Sequence, residues 1–216
     1  MNSPSRTPFI VAVAGPIGSG KSAIVSALAE TLGDATTLHF DDYEHASARA
    51  PENLRHWLEH GADFNALAAP ALTHDLGRLK RGEPVLPPHA RVPVQPRSFL
   101  VLEMPLGRED ASTASLIDAL LWIDLPHDVA LARKLRQLTR HAIADADSDC
   151  YVRWLDAYLD HYLSTVRDVL IVQAARVPAK ADLRLDGLMP VGAVAARAAQ
   201  TVLQMASRKN PLAALG

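Results

Sequence analysis

Phe9-Ile-Val-Ala-Val-Ala14-Gly15-Pro-Ile-Gly-Ser-Gly20-Lys21-Ser22 is the stretch on which the reading of this chain turns. Its apolar half shows no alternation, as expected of a strand covered on both faces of a parallel sheet. Its second half fits the spacing G-x-x-x-x-G-K-[ST], with Gly15, Gly20, Lys21 and Ser22 in the specified places. Glycines in such a turn let backbone N–H groups point inward around a polyphosphate, and the helix beyond it adds its positive end. Lys21 is expected to reach the β- and γ-phosphates, and the Ser22 hydroxyl to be a ligand of Mg²⁺. The nucleotide-binding set is therefore Gly15, Pro16, Ile17, Gly18, Ser19, Gly20, Lys21, Ser22 and Ala23.

Outward from this stretch, short apolar runs alternate with segments of helical length, the signature of an α/β fold with a parallel sheet. A helix is predicted from Ser22 to Leu32, stopped by Gly33. Thr36 to Phe40 reads as the second strand and runs into Asp41-Asp42; helices are predicted over Glu52 to His60 and Ala66 to Lys80. Pro84, Pro87, Pro88, Pro93 and Pro96 then exclude a helix and predict an extended excursion over residues 84–97. Phe99 to Leu102, ending at Glu103, Leu120 to Asp124 and Asp182 to Leu185 read as the remaining strands. Helices are predicted over Asp128 to His141, Tyr151 to Ala174 and Val191 to Ala206, before a frayed tail at 207–216. The expectation is a three-layer α/β/α sandwich with a five-stranded parallel sheet. One domain would span 1–206, with a lid region at 128–148.

Composition narrows the function classes. The chain has 216 residues, with 22 Lys and Arg against 24 Asp and Glu, a formal charge of −2. That balance lacks the basic surplus that non-specific nucleic-acid binding needs. Hydrophobic residues make up 49% and charged residues 21%, as in a globular protein. Cys150 is the only cysteine, which rules out an intramolecular disulfide and suits a reducing compartment. Met1 to Pro8 does not resemble a secretory signal, and no apolar run approaches the length of a membrane span. A cytoplasmic protein with neither nucleic acid nor membrane as partner is expected; self-association stays open.

Two further sets of residues carry chemistry. Asp41 and Glu103 close strands at the carboxyl edge, where ligands of open α/β sheets bind. Phosphoryl transfer asks for one carboxylate as base near the acceptor hydroxyl and another in the metal shell. Arg133, Arg136 and Arg140 are spaced three and four apart and so share a helix face, opposite Leu131, Leu135 and Leu138. Such a face can dock by its leucines and offer guanidinium forks to phosphate. Two histidines, His56 and His60, share a helix face without an acidic partner and read as solvated. Trp57, Trp122 and Trp154 read as core.

With loop, acidic strand ends and basic helix in this order, the chain from Ile10 to Val202 resembles the uridine kinase family of P-loop kinases, related to phosphoribulokinase and pantothenate kinase. The resemblance implies that Asp41, in Asp41-Asp42-Tyr43, is the catalytic base and that Tyr43 lies at the substrate. It aligns Asp63 with a ribose contact, Arg97 with the residue closing the substrate hairpin, and Glu103 with the Glu at the end of the third strand. It also places Lys180 beside the adenine, and Arg133, Arg136 and Arg140 on a lid. Departures fall in the hairpin, where the family's Tyr-Asp pair becomes Ala90-Arg91 and its His becomes Gln95, with His89 nearby. Met104-Pro105 replaces the residue after the Glu, usually Gly. Kinase chemistry with a changed acceptor is the implication, and Arg91 in the pocket would favour an anionic one.

The expectation is thus an ATP- and Mg²⁺-dependent kinase for a small acceptor, a nucleoside or another hydroxyl compound. In it Asp41, Lys21, Arg133 and Arg136 would be catalytic, and Ser22 and Glu103 would hold the metal. Tyr43, Asp63, Arg91 and Arg97 would meet the acceptor. The alternative is a P-loop switch or regulatory ATPase with no small acceptor. Ala179-Lys180-Ala181-Asp182 superficially fits a guanine-reading pattern, but Ala in first place supplies no polar side chain.

Overall fold

The computed structural model describes residues 7–43, 51–144 and 148–209. Five strands, β1 (Phe9–Ala14), β2 (Ala35–His39), β3 (Phe99–Glu103), β4 (Ala119–Asp124) and β5 (Leu183–Asp186), form one sheet in the order β2-β3-β1-β4-β5. All four neighbouring pairs are parallel. Each strand must then be re-entered from the amino edge, and every strand ends on the same carboxyl edge.

Period-two alternation sorts the strand residues between two cores. Val11, Val13, Val101, Leu121 and Ile123 face α1 (Lys21–Leu32) and α8 (Val191–Lys209), and meet Ile24, Leu28 and Val202. Ile10, Ala12, Leu38, Leu100, Leu102, Leu120 and Trp122 face the other way, toward α2 (Pro51–Glu59) and α3 (Pro70–Lys80). There they pack with Trp57, Phe64, Leu72, Leu76 and Val177. The result is the three-layer sandwich read from the sequence.

The differences are local and have physical causes. The second strand stops at His39, and Phe40–Asp42 form one 3₁₀ turn. The helix expected from Ala66 begins at Pro70, whose missing N–H suits a first helical turn, after a separate 3₁₀ turn at Phe64–Leu67. A short helix, α4 (Ala111–Ala114), is capped by Asp110 and has no counterpart in the expected elements. Beyond β4 come α5 (His127–Ala144) and α6 (Ser148–His161). A π-helical turn at Tyr162–Val166 then leads into α7 (Arg167–Arg176), where one unbroken helix was expected. Ser207 to Lys209 continue α8 rather than fray, and the rest of the expected tail lies outside the described residues. Trp57 and Trp122 are core; Trp154 is not, being 42% exposed and stacked between Tyr151 and Tyr158. The side chain of Cys150 is outside the described set.

The proline-rich excursion folds back on itself. Val85 and Val94 pair in an antiparallel bridge, through hydrogen bonds of 3.1 and 2.8 Å. The N–H of His89, near its tip, donates to the Asp42 carbonyl at 3.0 Å. That contact holds the tip beside the turn at the end of β2. Among the described residues no helix is long and apolar enough to cross a membrane.

Candidate active site

The loop between β1 and α1 is shaped by its glycines. Gly18 and Gly20 have φ of 77° and 82°, the left-handed region that Cβ-bearing residues avoid. A Cβ on Gly18 would lie 2.1 Å from the Ala130 carbonyl oxygen, so the first turns of α5 press directly on the loop. A Cβ on Gly15 would meet Ser19 Oγ at 2.9 Å and Ile123 Cβ at 3.0 Å. Ser19 is 2% exposed, and its hydroxyl is buried without a hydrogen-bond partner among the described residues. Gly20 occupies the cap position of α1, with no side chain closing the helix end. A glycine cradle, an orphaned buried hydroxyl and an uncapped helix N-terminus together fit an anionic polyphosphate.

Lys21 folds toward this cradle. Its ammonium donates to the carbonyl oxygens of Gly15 and Pro16, both at 3.1 Å. Burial pulls its pKa below the ordinary lysine value; Glu103 and Asp41 oppose that, and Lys134 reinforces it. Lys134, on α5, is a cation near the loop that the sequence reading left out.

Register brings the carboxylate in. Val13, Glu103 and His39 occupy one row across β1, β3 and β2. Alternation points Glu103 to the α1 side, since Leu102 faces the opposite core. At that height it lies beside the first turn of α1, where Ser22 and Lys21 act on its charge. His39, pointing the same way, places Nδ1 2.9 Å from Glu103 Oε2. Burial pushes the Glu103 carboxyl up, but the hydrogen bond from His39, the charge of Lys21 and the nearby Ser22 together hold it below the ordinary value. The hydrogen bond to Glu103 raises the His39 pKa, with burial opposing and Glu103, Asp42 and Asp41 adding charge. His39 was not singled out in the sequence; its one visible mark is a polar residue between the inward-facing Leu38 and Phe40.

Asp41 is exposed in the turn after β2, close enough to act electrostatically on Lys21 and His39. Tyr43, expected at the substrate, is buried, and its hydroxyl donates to Asp75 Oδ2 at 2.9 Å. It ties the turn to α3. Asp63 caps its own turn by accepting from the Asn65 N–H and side-chain amide at 3.0 and 2.8 Å. Arg91 is exposed and lies just past the hairpin tip that hydrogen-bonds to Asp42.

Arg97 and Lys180 are placed elsewhere. Arg97 pairs with Asp34 at 3.7 Å, just ahead of β2, and Lys180 pairs with Glu109 at 2.8 Å. The Lys180 carbonyl accepts from Arg108, whose guanidinium also reaches the Ile117 and Asp118 carbonyls just ahead of β4. Both residues precede a strand and so lie at the amino edge. A strand's length, about 10–13 Å, separates them from the edge that carries the loop. Neither the substrate contact expected of Arg97 nor the adenine contact expected of Lys180 fits that position.

On α5, Arg133, Arg136 and Arg140 line one open depression of about 350 Å³ together with Gln137 and His141. Leu131, Leu135 and Leu138 are half-buried on the other side, as the spacing requires. Arg133 is not free to turn, because Nη1 donates to the Gly187 carbonyl at 2.8 Å. The last few residues of the expected lid region, 145–147, lie outside the described residues. His56 and His60 stack at 3.8 Å, and no group of three or more potential metal ligands of the His, Cys and carboxylate kind occurs among the described residues.

No family model matches the sequence. The uridine kinase of Geobacillus sp. (strain WCH70) is 28% identical over 176 residues, covering 75% of this chain and 78% of that one. The uridine kinase of Geobacillus kaustophilus (strain HTA426) is 27% identical over 181 residues, with the same coverage of 75% and 78%. Among solved structures, shikimate kinase from Aquifex aeolicus aligns at a TM-score of 0.47 and 16% identity, over 90% of this chain and 96% of that one. A possible uridine kinase from Bacillus stearothermophilus aligns at 0.43 and 16%, over 86% and 91%. Structural likenesses of that size add no weight. The sequence relatives do: over three quarters of its length this chain resembles the uridine kinase-like family of P-loop kinases.

Proposed function

We propose that the chain is an ATP- and Mg²⁺-dependent kinase that phosphorylates a hydroxyl of a small acceptor, in one domain spanning 1–206. The observation carrying this reading is the glycine cradle of residues 15–22, with the buried Ser19 hydroxyl and the Lys21 ammonium turned into it and Glu103 at the end of the strand beside β1. In it, loop amides and the α1 N-terminus hold the triphosphate, and Lys21 exchanges its two carbonyl partners for phosphate oxygens. Ser22 and Glu103 would hold Mg²⁺, which when bound neutralises charge on the phosphates. Asp41 accepts the proton of the acceptor hydroxyl, an act suited to an exposed carboxylate beside the loop. Arg136 and Arg140 offer their guanidiniums to the phosphates from α5.

The hairpin tip at His89 sits against Asp42 and supports residues 84–97 as the acceptor side. Arg91 beside that tip, in place of an acidic residue, favours an anionic acceptor such as a sugar acid or a phosphorylated sugar. A screen of acceptor-dependent ADP release over nucleosides, sugar acids and sugar phosphates tests this. Turnover that requires an acceptor and disappears in Lys21→Ala is the expected result. ADP release indifferent to every acceptor would overturn the kinase reading in favour of a switch or regulatory ATPase. Efficient phosphorylation of uridine and cytidine, with none of acidic compounds, would overturn the role of Arg91.

A further inference from the structure

We propose that His39 is a positioning residue that fixes the orientation of the Glu103 carboxylate for a divalent cation. The proposal rests on the reading of Ser22 and Glu103 as the metal site. The two side chains start from directly paired residues on adjacent parallel strands and point to the same side of the sheet. Backbone register therefore delivers the contact. An ionised carboxylate only accepts hydrogen bonds, so Nδ1 of His39 carries the proton in the 2.9 Å contact with Oε2.

Without that bond the Glu103 carboxylate could turn about its terminal bonds. The Lys21 ammonium does not fix it, because it is engaged by the Gly15 and Pro16 carbonyls and acts on Glu103 through charge. With Oε2 engaged by His39, one orientation is selected before the metal arrives. Partners of ligating side chains act in this way and typically cost about 10- to 100-fold in metal affinity when removed. Both side chains are partly shielded, His39 at 32% exposure and Glu103 at 14%, which strengthens a bond of this type relative to an open surface.

The test measures nucleotide and metal binding and does not depend on turnover. ADP binding is titrated by calorimetry with Mn²⁺ and, separately, in chelator. His39→Leu removes the donor at similar volume; His39→Asn keeps an N–H donor two bonds from Cβ. The expected result is an Mn²⁺-dependent gain in ADP affinity that falls about tenfold or more in His39→Leu. It should recover in His39→Asn, with ADP affinity in chelator unchanged in both. In a Glu103→Gln background, His39→Leu should have no further effect. Equal Mn²⁺-dependent gain in wild type and His39→Leu would overturn the role of His39 while leaving the metal site standing. No gain in the wild type would overturn the metal reading and the proposal with it. Should His39→Leu fail to fold, a His39→Asn protein with the metal-dependent gain of Glu103→Gln would equally sink the proposal.

Discussion

Arg133 donates from α5 to the carbonyl oxygen of Gly187, in the turn just past β5, at 2.8 Å. The bond joins the basic helix to the last strand of the sheet. Arg136, one turn on in the same stripe, has no such anchor among the described residues and stays exposed at the depression they share. Two arginines of one sequence pattern thus have different physical jobs. Arg136→Ala should lower kcat about tenfold or more with an unchanged melting temperature. Arg133→Ala should lower both, since a charge-assisted bond to a carbonyl is lost, by about 1 kcal/mol after allowance for exposure. Thermal melts beside steady-state kinetics separate the two. Identical behaviour of both variants would sink the distinction.

Gly18 and Gly20 share a left-handed backbone but differ in surroundings. Nothing lies within 4 Å of a Cβ built on Gly20, whereas one on Gly18 would strike the Ala130 carbonyl. Gly20→Ala should therefore carry only the conformational cost, about 1–2 kcal/mol. Gly18→Ala adds a backbone collision and should be several-fold worse in denaturant midpoint, while pushing α5 off the loop and weakening nucleotide binding. Comparable midpoints for the two would show that α5 does not press on the loop.

The strands and the phosphate loop were legible because their determinants are local. An apolar run such as Phe9–Ala14 needs no partner to be recognised, and the glycine spacing after it states its own turn. The π-helical turn at Tyr162–Val166 interrupts a pattern that periodicity alone reads as continuous helix. His39 escaped because its role exists only across a strand pairing: β3 lies about sixty residues further along the chain. Arg97 and Lys180 were misplaced for a topological reason. In a parallel sheet, residues leading into a strand and residues leaving it sit at opposite edges, and both of these lead into strands. Glu103 closes β3 and Asp41 follows the end of β2, so both lie at the carboxyl edge with the loop.

Lys21 and Asp41 are related through charge at the mouth of the loop. Lys21→Ala and Asp41→Asn should each reduce kcat about a hundredfold or more while far-UV circular dichroism and melting stay near wild type. Their KM values should separate them. Loss of Lys21 removes a phosphate contact and should raise KM for ATP, whereas Asp41→Asn should leave it unchanged. Near-wild-type turnover in Asp41→Asn would show that another group takes the proton.

The His39–Glu103 pair predicts a stability profile with a definite sign. His39 titrates higher in the folded state than its ordinary 6.5, through its hydrogen bond to Glu103. Its contribution is therefore complete below the unfolded value and is lost as pH rises through the folded one. Glu103 titrates below its ordinary 4.5, because His39, Ser22 and Lys21 outweigh its burial. Its contribution is complete above the unfolded value and is lost as pH falls through the folded one. The two conditions overlap between the ordinary carboxylate and imidazole values, and there the pair stabilises most. Denaturant midpoints of wild type and Glu103→Gln, compared from about pH 3 to about pH 9, should differ most inside that window and narrow on both sides, with the part due to Lys21 persisting at high pH. A difference that keeps growing above the imidazole range would mean that His39 is not the cation holding Glu103, and that Lys21 alone accounts for the pairing.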